Sequence, residues 1–270
     1  MKIRVIAGLS LAPVLLIVVL ALPEIWTSVA VSFFAGIGVY ELLWRTGLVK
    51  RPRMVVYSVI MGAAIPFWSF FGMPYEWGLG AVLLLFILLF AELLMDHGKI
   101  PFVEVSYCFF GGLIVPFLFS SLVRILGGEN GRYYIMIPFF MAFLSDIGAY
   151  FTGRFFGKHK MAPIISPKKT IEGMIGGFVL DVLGMIGYAF ILSHFFTLNV
   201  NYLLAALYGF VGAAAAVFGD LCFSVIKRQT GIKDYGNLIP GHGGVLDRFD
   251  SVIVVAPLAE LLLRLIPLVV

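Results

Sequence analysis

Charge is scarce in this chain. Only 13% of its 270 residues are Asp, Glu, Lys or Arg, 61% are hydrophobic, and the mean hydropathy is +1.04. That scarcity excludes an ordinary soluble domain, because one core in a chain of this length cannot absorb so much apolar surface. Cysteine is nearly missing as well. Cys108 and Cys222 stand alone in apolar segments, too isolated for a CxxC metal or redox site and too few for a disulfide framework. No linker is long enough to lead to a soluble domain, and there is no low-complexity tract and no repeat of fixed period. Lys2 and Arg4 precede an apolar run as in a signal peptide, yet no A-x-A-like cleavage site comes before Pro23. The first helix is therefore expected to be retained.

Long apolar runs are what the chain has instead. Nine windows suit a hydrocarbon layer that takes roughly 20 helical residues to cross: 4–22, 25–43, 54–72, 77–95, 102–123, 133–152, 172–196, 203–223 and 251–269. They are continuously apolar rather than alternating, which selects helices over barrel strands. The expected fold is an all-α polytopic integral membrane protein of about nine transmembrane helices. Orientation follows from the basic residues. Lys2, Arg4, Arg45, Lys50, Arg51, Arg53, Lys99, Arg154, Lys158, Lys160, Lys168, Lys169, Lys227, Arg228, Lys233 and Arg248 fall on one side; only Arg124, Arg132 and Arg264 fall on the other. The N-terminus is thus expected in the cytoplasm and the C-terminus outside, with the polar loops 153–171 and 224–250 opening to the cytoplasm.

The polar residues are unevenly spread. Residues 1–130 keep few of them inside their spans and read as about five structural, dimer- or lipid-facing helices. Residues 131–270, with about four helices, carry Asp146, Asp181 and Asp220 within or at the ends of helices and read as the catalytic region. Ser224 to Asp250 is the most polar stretch: in 27 residues it holds Lys227, Arg228, Lys233, Arg248, Asp234, Asp247, Asp250, His242 and five glycines. On a helix Asp220, Ser224, Lys227 and Arg228 recur at i, i+4, i+7 and i+8 and share a stripe. Gly231, Gly236, Gly241, Gly243, Gly244 and Pro240 then forbid a regular helix and shape a loop whose backbone a phosphate can approach. Asp247 and Asp250, three apart, form a ready hard-cation pair suited to Mg²⁺; the competing reading is a helix cap paired with nearby cations. In ISPKKTIEG, Ser166 reads as an N-cap and Pro167 as the first helical residue, leaving Lys168 and Lys169 in a first turn where cations oppose the dipole unless an anion arrives. Asp146, Tyr150 and Arg154 make a further stripe, in which Asp146 either serves a metal or holds Arg154.

These residues resemble the phosphatidate cytidylyltransferases, or CDP-diacylglycerol synthases. Their signature S-x-x-K-R-x4-K-D-x-G-x2-[LIF]-P-G-H-G-G-x-x-D-R-x-D is met by Ser224, Lys227, Arg228, Lys233, Asp234, Gly236, Pro240, Gly241, His242, Gly243, Gly244, Asp247, Arg248 and Asp250. The GDL at Gly219 to Leu221, SPKKTIEG at Ser166 to Gly173 and the pattern from Asp146 to Arg154 are similar to that family too, apart from Ile147. The likeness covers roughly residues 140–255.

The resemblance implies a reaction of CTP with phosphatidate to CDP-diacylglycerol and pyrophosphate in phospholipid biosynthesis, at the cytoplasmic (inner) membrane. It implies Mg²⁺, with room for a second cation, held by Asp220, Asp247 and Asp250. Lys227, Arg228 and Arg248 join these as catalytic residues; Ser166, Lys168, Lys169, Ser224, Lys233, Asp234, His242, Gly243, Gly244 and Asp146 are assigned to substrate binding. The implied partners are CTP, phosphatidate and the bilayer, with no nucleic acid; a homodimer is compatible with the sequence. Two alternatives stay open: a CTP-dependent polyprenol or dolichol kinase, which would transfer the γ-phosphate, and a cation transporter lined by Asp146, Asp181 and Asp220.

Overall fold

The computed structural model describes residues 17–238 and 243–269. The first apolar window lies mostly outside the described residues, as do Pro240, Gly241 and His242. Among the described residues seven helices are long and apolar enough to cross a membrane: α1 (Glu24–Arg45), α2 (Pro52–Phe71), α3 (Tyr75–Met95), α4 (Phe102–Leu126), α5 (Gly131–Phe156), α6 (Ile171–Phe195) and α7 (Tyr202–Gln229). They coincide with the second to eighth windows to within a few residues at most ends. The chain is an all-α polytopic membrane protein. An eighth long helix, α8 (Leu246–Leu265), fills most of the ninth window but carries Asp247, Arg248, Asp250, Glu260 and Arg264, and so is less apolar than the other seven. A short ribbon of β1 (Lys160–Ala162) and β2 (Ser166–Thr170) interrupts the helices between α5 and α6.

The described chain divides into two compact units. The first comprises the residues up to Gly128 together with Gln229–Phe249; the second comprises Glu129–Arg228 and the residues from Asp250. In the first unit, Leu42 and Leu43 of α1, Met54 of α2, Leu89 of α3 and Leu122 of α4 are fully buried. The end of α1, Glu41–Arg45, widens into a π-helical turn, and a second π turn, Phe110–Ile114, interrupts α4. Gly112 in that turn lets α4 ride on α2: a Cβ there would lie 3.0 Å from the Ser58 Cβ.

The second unit is built by the same device. Apolar contact alone drives little association in lipid, so membrane helices pack through small residues and backbone proximity. A Cβ on Gly148 of α5 would stand 2.6 Å from the Gly176 carbonyl oxygen of α6, so these two helices meet backbone to backbone. Tyr208 of α7, fully buried, donates its hydroxyl hydrogen to the Ile266 carbonyl at 2.8 Å and ties α7 to the end of α8.

Candidate active site

The second unit gathers most of the predicted polar residues. The α7 stripe forms as its spacing demands: Ser224 Oγ donates to Asp220 Oδ1 at 3.3 Å, and Lys227, one turn on, is 8% exposed. Lys227 Nζ faces Asp250 Oδ2 of α8 at 3.8 Å, and Asp250 is equally buried. Arg228 points elsewhere. It is exposed, and its Nε donates to the Ile165 carbonyl at 3.0 Å, which anchors the turn of the ribbon.

Ser166, Lys168 and Lys169 depart from expectation. Ser166–Thr170 is a strand, paired antiparallel with β1 so that Lys160 faces Thr170 and Ala162 faces Ser166. The expected N-cap at Ser166 and first-turn lysines are therefore corrected: α6 starts at Ile171, with Thr170 as its N-cap accepting the Gly173 N–H at 3.1 Å. The physical reason lies in the lysines. A helix begun at Ser166 would aim both at the positive end of its own dipole, whereas the extended segment leaves acidic Glu172 in the first turn. Glu172 also accepts the backbone N–H groups of Lys158 and His159 and pairs with His159 Nδ1 at 2.6 Å, which closes the base of the ribbon.

The strand presents Lys169 to α7, where its ammonium pairs with Asp220. Burial pulls the Lys169 pKa below that of an ordinary lysine, and the carboxylates of Asp146 and Asp250 oppose the shift. Asp220, in direct contact, acts in the same sense as those two carboxylates. A cavity of about 400 Å³ opens beside it, lined by Asp146, Tyr150, Arg154, Ser166, Lys168 and Lys169 among others. Arg154 donates to the Tyr150 hydroxyl at 3.0 Å, and Asp146 lines the cavity from α5. Lys169, Asp220, Ser224, Lys227, Asp250 and Asp146 thus belong to one polar region of the second unit.

The first unit holds the other part of the signature. Lys233 and Asp234 are exposed in the irregular segment after α7, and Arg248 is exposed on α8. Gly243 has φ +86°, a conformation that favours glycine. Asp247 is buried, and its Oδ2 accepts two backbone N–H groups, from Tyr235 at 2.7 Å and Gly244 at 3.0 Å. The sequence reading missed the neighbour of this segment. Glu41, 3% exposed on α1, accepts the N–H groups of Val245 at 3.1 Å and Leu246 at 2.8 Å. Its carboxylate occupies the space beside Gly236 and Gly244, where a Cβ on either would collide with it. The available signal was an acidic residue inside an apolar window, the same mark that drew attention to Asp146 and Asp220.

Among the described residues no group of three or more His, Cys, Asp or Glu side chains forms a protein-only metal cage. Mg²⁺ does not require one, since it commonly keeps waters and shares phosphate oxygens beside one or two carboxylates. The hard oxygen donors of Asp220 and Asp250, each facing a lysine ammonium, fit that chemistry.

A cytidylyltransferase family model matches residues 2–266, nearly the whole chain. The chain belongs to the cytidylyltransferase family. Similar proteins named phosphatidate cytidylyltransferase include one from Staphylococcus haemolyticus (strain JCSC1435), 38% identical over 180 residues and 66% of each chain. One from Staphylococcus epidermidis (strain ATCC 35984) is 36% identical over 184 residues and 68% of each chain, and one from Staphylococcus aureus (strain COL) is 37% identical over 171 residues and 63% of each. The chain thus spans about two thirds of the length of these curated relatives. Nucleotidyl transfer brings an anionic nucleophile to a polyanion, and fixed cations are what such a step needs.

Proposed function

We propose that this cytidylyltransferase converts CTP and phosphatidate to CDP-diacylglycerol and pyrophosphate. The observation that carries the reading is the pair of lysine–carboxylate contacts, Lys169 with Asp220 and Lys227 with Asp250, in the unit whose cavity is lined by Asp146 and Lys168. A phosphate oxygen of phosphatidate attacks the α-phosphorus of CTP, the bond from that phosphorus to the oxygen bridging to the β-phosphate breaks, and pyrophosphate leaves with the electron pair. The nucleophile is already ionised, so neither a serine–histidine pair nor a covalent enzyme intermediate is required. The chain's task is to bring the anions together and hold them in line.

Lys169 and Lys227 supply positive charge, each exchanging part of its contact with a carboxylate for phosphate oxygens. Lys168 and Ser166 add contacts at the cavity wall. Mg²⁺ would be held by Asp220 and Asp250, where it would offset phosphate charge; Asp247 joins this assignment through the signature, as do Ser224, Arg228, Lys233, Asp234, Arg248, His242, Gly243 and Gly244 in catalysis or substrate contact. The bias of basic residues supports a site at the cytoplasmic face of a bacterial inner membrane, where CTP is supplied and the lipid's acyl chains stay in the bilayer.

The test uses CTP labelled at the α-phosphorus, with phosphatidate, Mg²⁺ and the purified protein in detergent. Label is expected in the lipid product, with release of unlabelled pyrophosphate. Label confined to water-soluble nucleotide, with a γ-phosphate label entering lipid instead, would move the assignment to a lipid kinase.

A further inference from the structure

We infer that Glu41 is a positioning residue of this transferase: from α1 it fixes the turn Gly244–Asp247 and, through it, the orientation of the Asp247 carboxylate. The inference deepens the nucleotidyl-transfer reading and rests on it for its kinetic readout alone.

An ionised carboxylate in a membrane helix is expensive unless its oxygens are satisfied. Glu41 has that compensation. Its Oε1 accepts the Val245 N–H and its Oε2 the Leu246 N–H, while Oδ2 of Asp247 accepts the N–H of Gly244 just before them. Three successive amides at the start of α8, the kind of concavity that otherwise receives an external anion, are therefore filled by two side chains of the chain itself. The Tyr235 N–H, on a residue 1% exposed, gives Asp247 its second donor.

Three further features converge on Glu41. The π-helical turn begins at this residue, and such turns put an extra residue into a helix and re-aim the side chains around it. Gly236 and Gly244 leave the volume its carboxylate occupies, which gives two glycines of the signature a reason within the fold. The Gly244, Val245 and Leu246 amides that donate to the two carboxylates belong to a single turn, so the two carboxylates are mechanically coupled. If the Glu41 charge is lost, the Val245 and Leu246 donors both lose a charged acceptor, the turn can rotate, and Asp247 no longer has a fixed direction.

Glu41→Gln keeps the volume, removes the charge and turns an NH₂ toward a backbone N–H. In the full-length protein in detergent, kcat is expected to fall about 10- to 100-fold, as for loss of a group that orients a functional side chain. KM for CTP and for phosphatidate should stay within about threefold. Hydrogen–deuterium exchange should rise in peptides spanning 243–249 and remain unchanged in α2. Glu41→Asp, too short to reach both amides, should show the same pattern with a smaller amplitude.

A folded Glu41→Gln protein with kcat within about twofold of wild type, or with raised KM and unchanged kcat, overturns the inference. So does exchange that rises equally in α2 and in 243–249 in both variants, which would make Glu41 a residue of the fold as a whole. Absence of any CTP-dependent lipid product from the wild type would instead defeat the activity reading. The exchange comparison would then still decide whether Glu41 holds the turn.

Discussion

Glu41 and Asp247 in the first unit and Asp220 and Asp250 in the second are held by different means. In the first, Glu41 and Asp247 are held by backbone N–H groups, which cannot leave without unfolding a turn. In the second, Asp220 and Asp250 face the ammonium groups of Lys169 and Lys227, which sit on flexible stems and can change partner. Backbone amides are suited to fixing a carboxylate in one direction. Lysines are suited to yielding to an arriving phosphate, because the charge they give up to one anion is taken up by another. Under the proposed reaction the first unit sets geometry and the second responds to substrate, so substitutions in the two units are expected to fail in different ways.

The largest effect is expected at Asp247. Asp247→Asn is nearly isosteric, and its carbonyl oxygen can still accept the Tyr235 and Gly244 N–H groups. The turn should therefore persist, with melting in detergent close to that of wild type, while turnover drops by about 10³-fold. A wild-type rate at saturating Mg²⁺ would remove Asp247 from the chemistry and reduce the first unit to a scaffold.

Much of this arrangement was legible in the sequence, for reasons specific to each part. The spans from α1 to α7 announce themselves because lipid imposes a length and a composition on every one. The Asp220–Ser224–Lys227 stripe is legible because a helix converts spacing into a shared face. The ribbon was hidden, since Ser166-Pro167 imitates a helix start and the pairing of Lys160 with Thr170 is not encoded in either segment alone. Glu41 was hidden more deeply: its amide partners lie 204 and 205 residues away, and no periodicity reports such a contact. What the sequence does display is a charge inside an apolar window, the general mark of a functional residue in a membrane span.

Lys227 gives the next effect and tests the responsive unit. Lys227→Met leaves Asp250 buried without its facing ammonium, although Asp250 Oδ1 still accepts the Ser251 N–H at 2.8 Å. Stability should fall by about 2 kcal/mol, below the full cost of breaking a tight buried pair because the 3.8 Å contact is loose. Turnover should fall about 10²-fold. Adding Asp250→Asn in the same chain removes the buried charge that faced Lys227 and should restore most of the stability but none of the turnover. A double variant that melts like the single one would show that the pair does not carry the stability assigned to it.

The smallest effect lies where the responsive unit borrows the method of the other. Thr170 follows Lys169 directly and caps α6 by accepting the Gly173 N–H, so a neutral side chain there does for one amide what Glu41 does for two. Thr170→Val keeps the shape and removes the acceptor, at a cost of about 1 kcal/mol. Thr170→Ser retains the hydroxyl and should recover most of that loss. Because Lys169 is held by its pair with Asp220 as well as by the strand, turnover in Thr170→Val should stay within about twofold of wild type while melting falls. A drop in turnover as large as that of Lys227→Met, with melting unchanged, would mean that the cap sets the direction of Lys169. The second unit would then depend on fixed backbone geometry as much as the first.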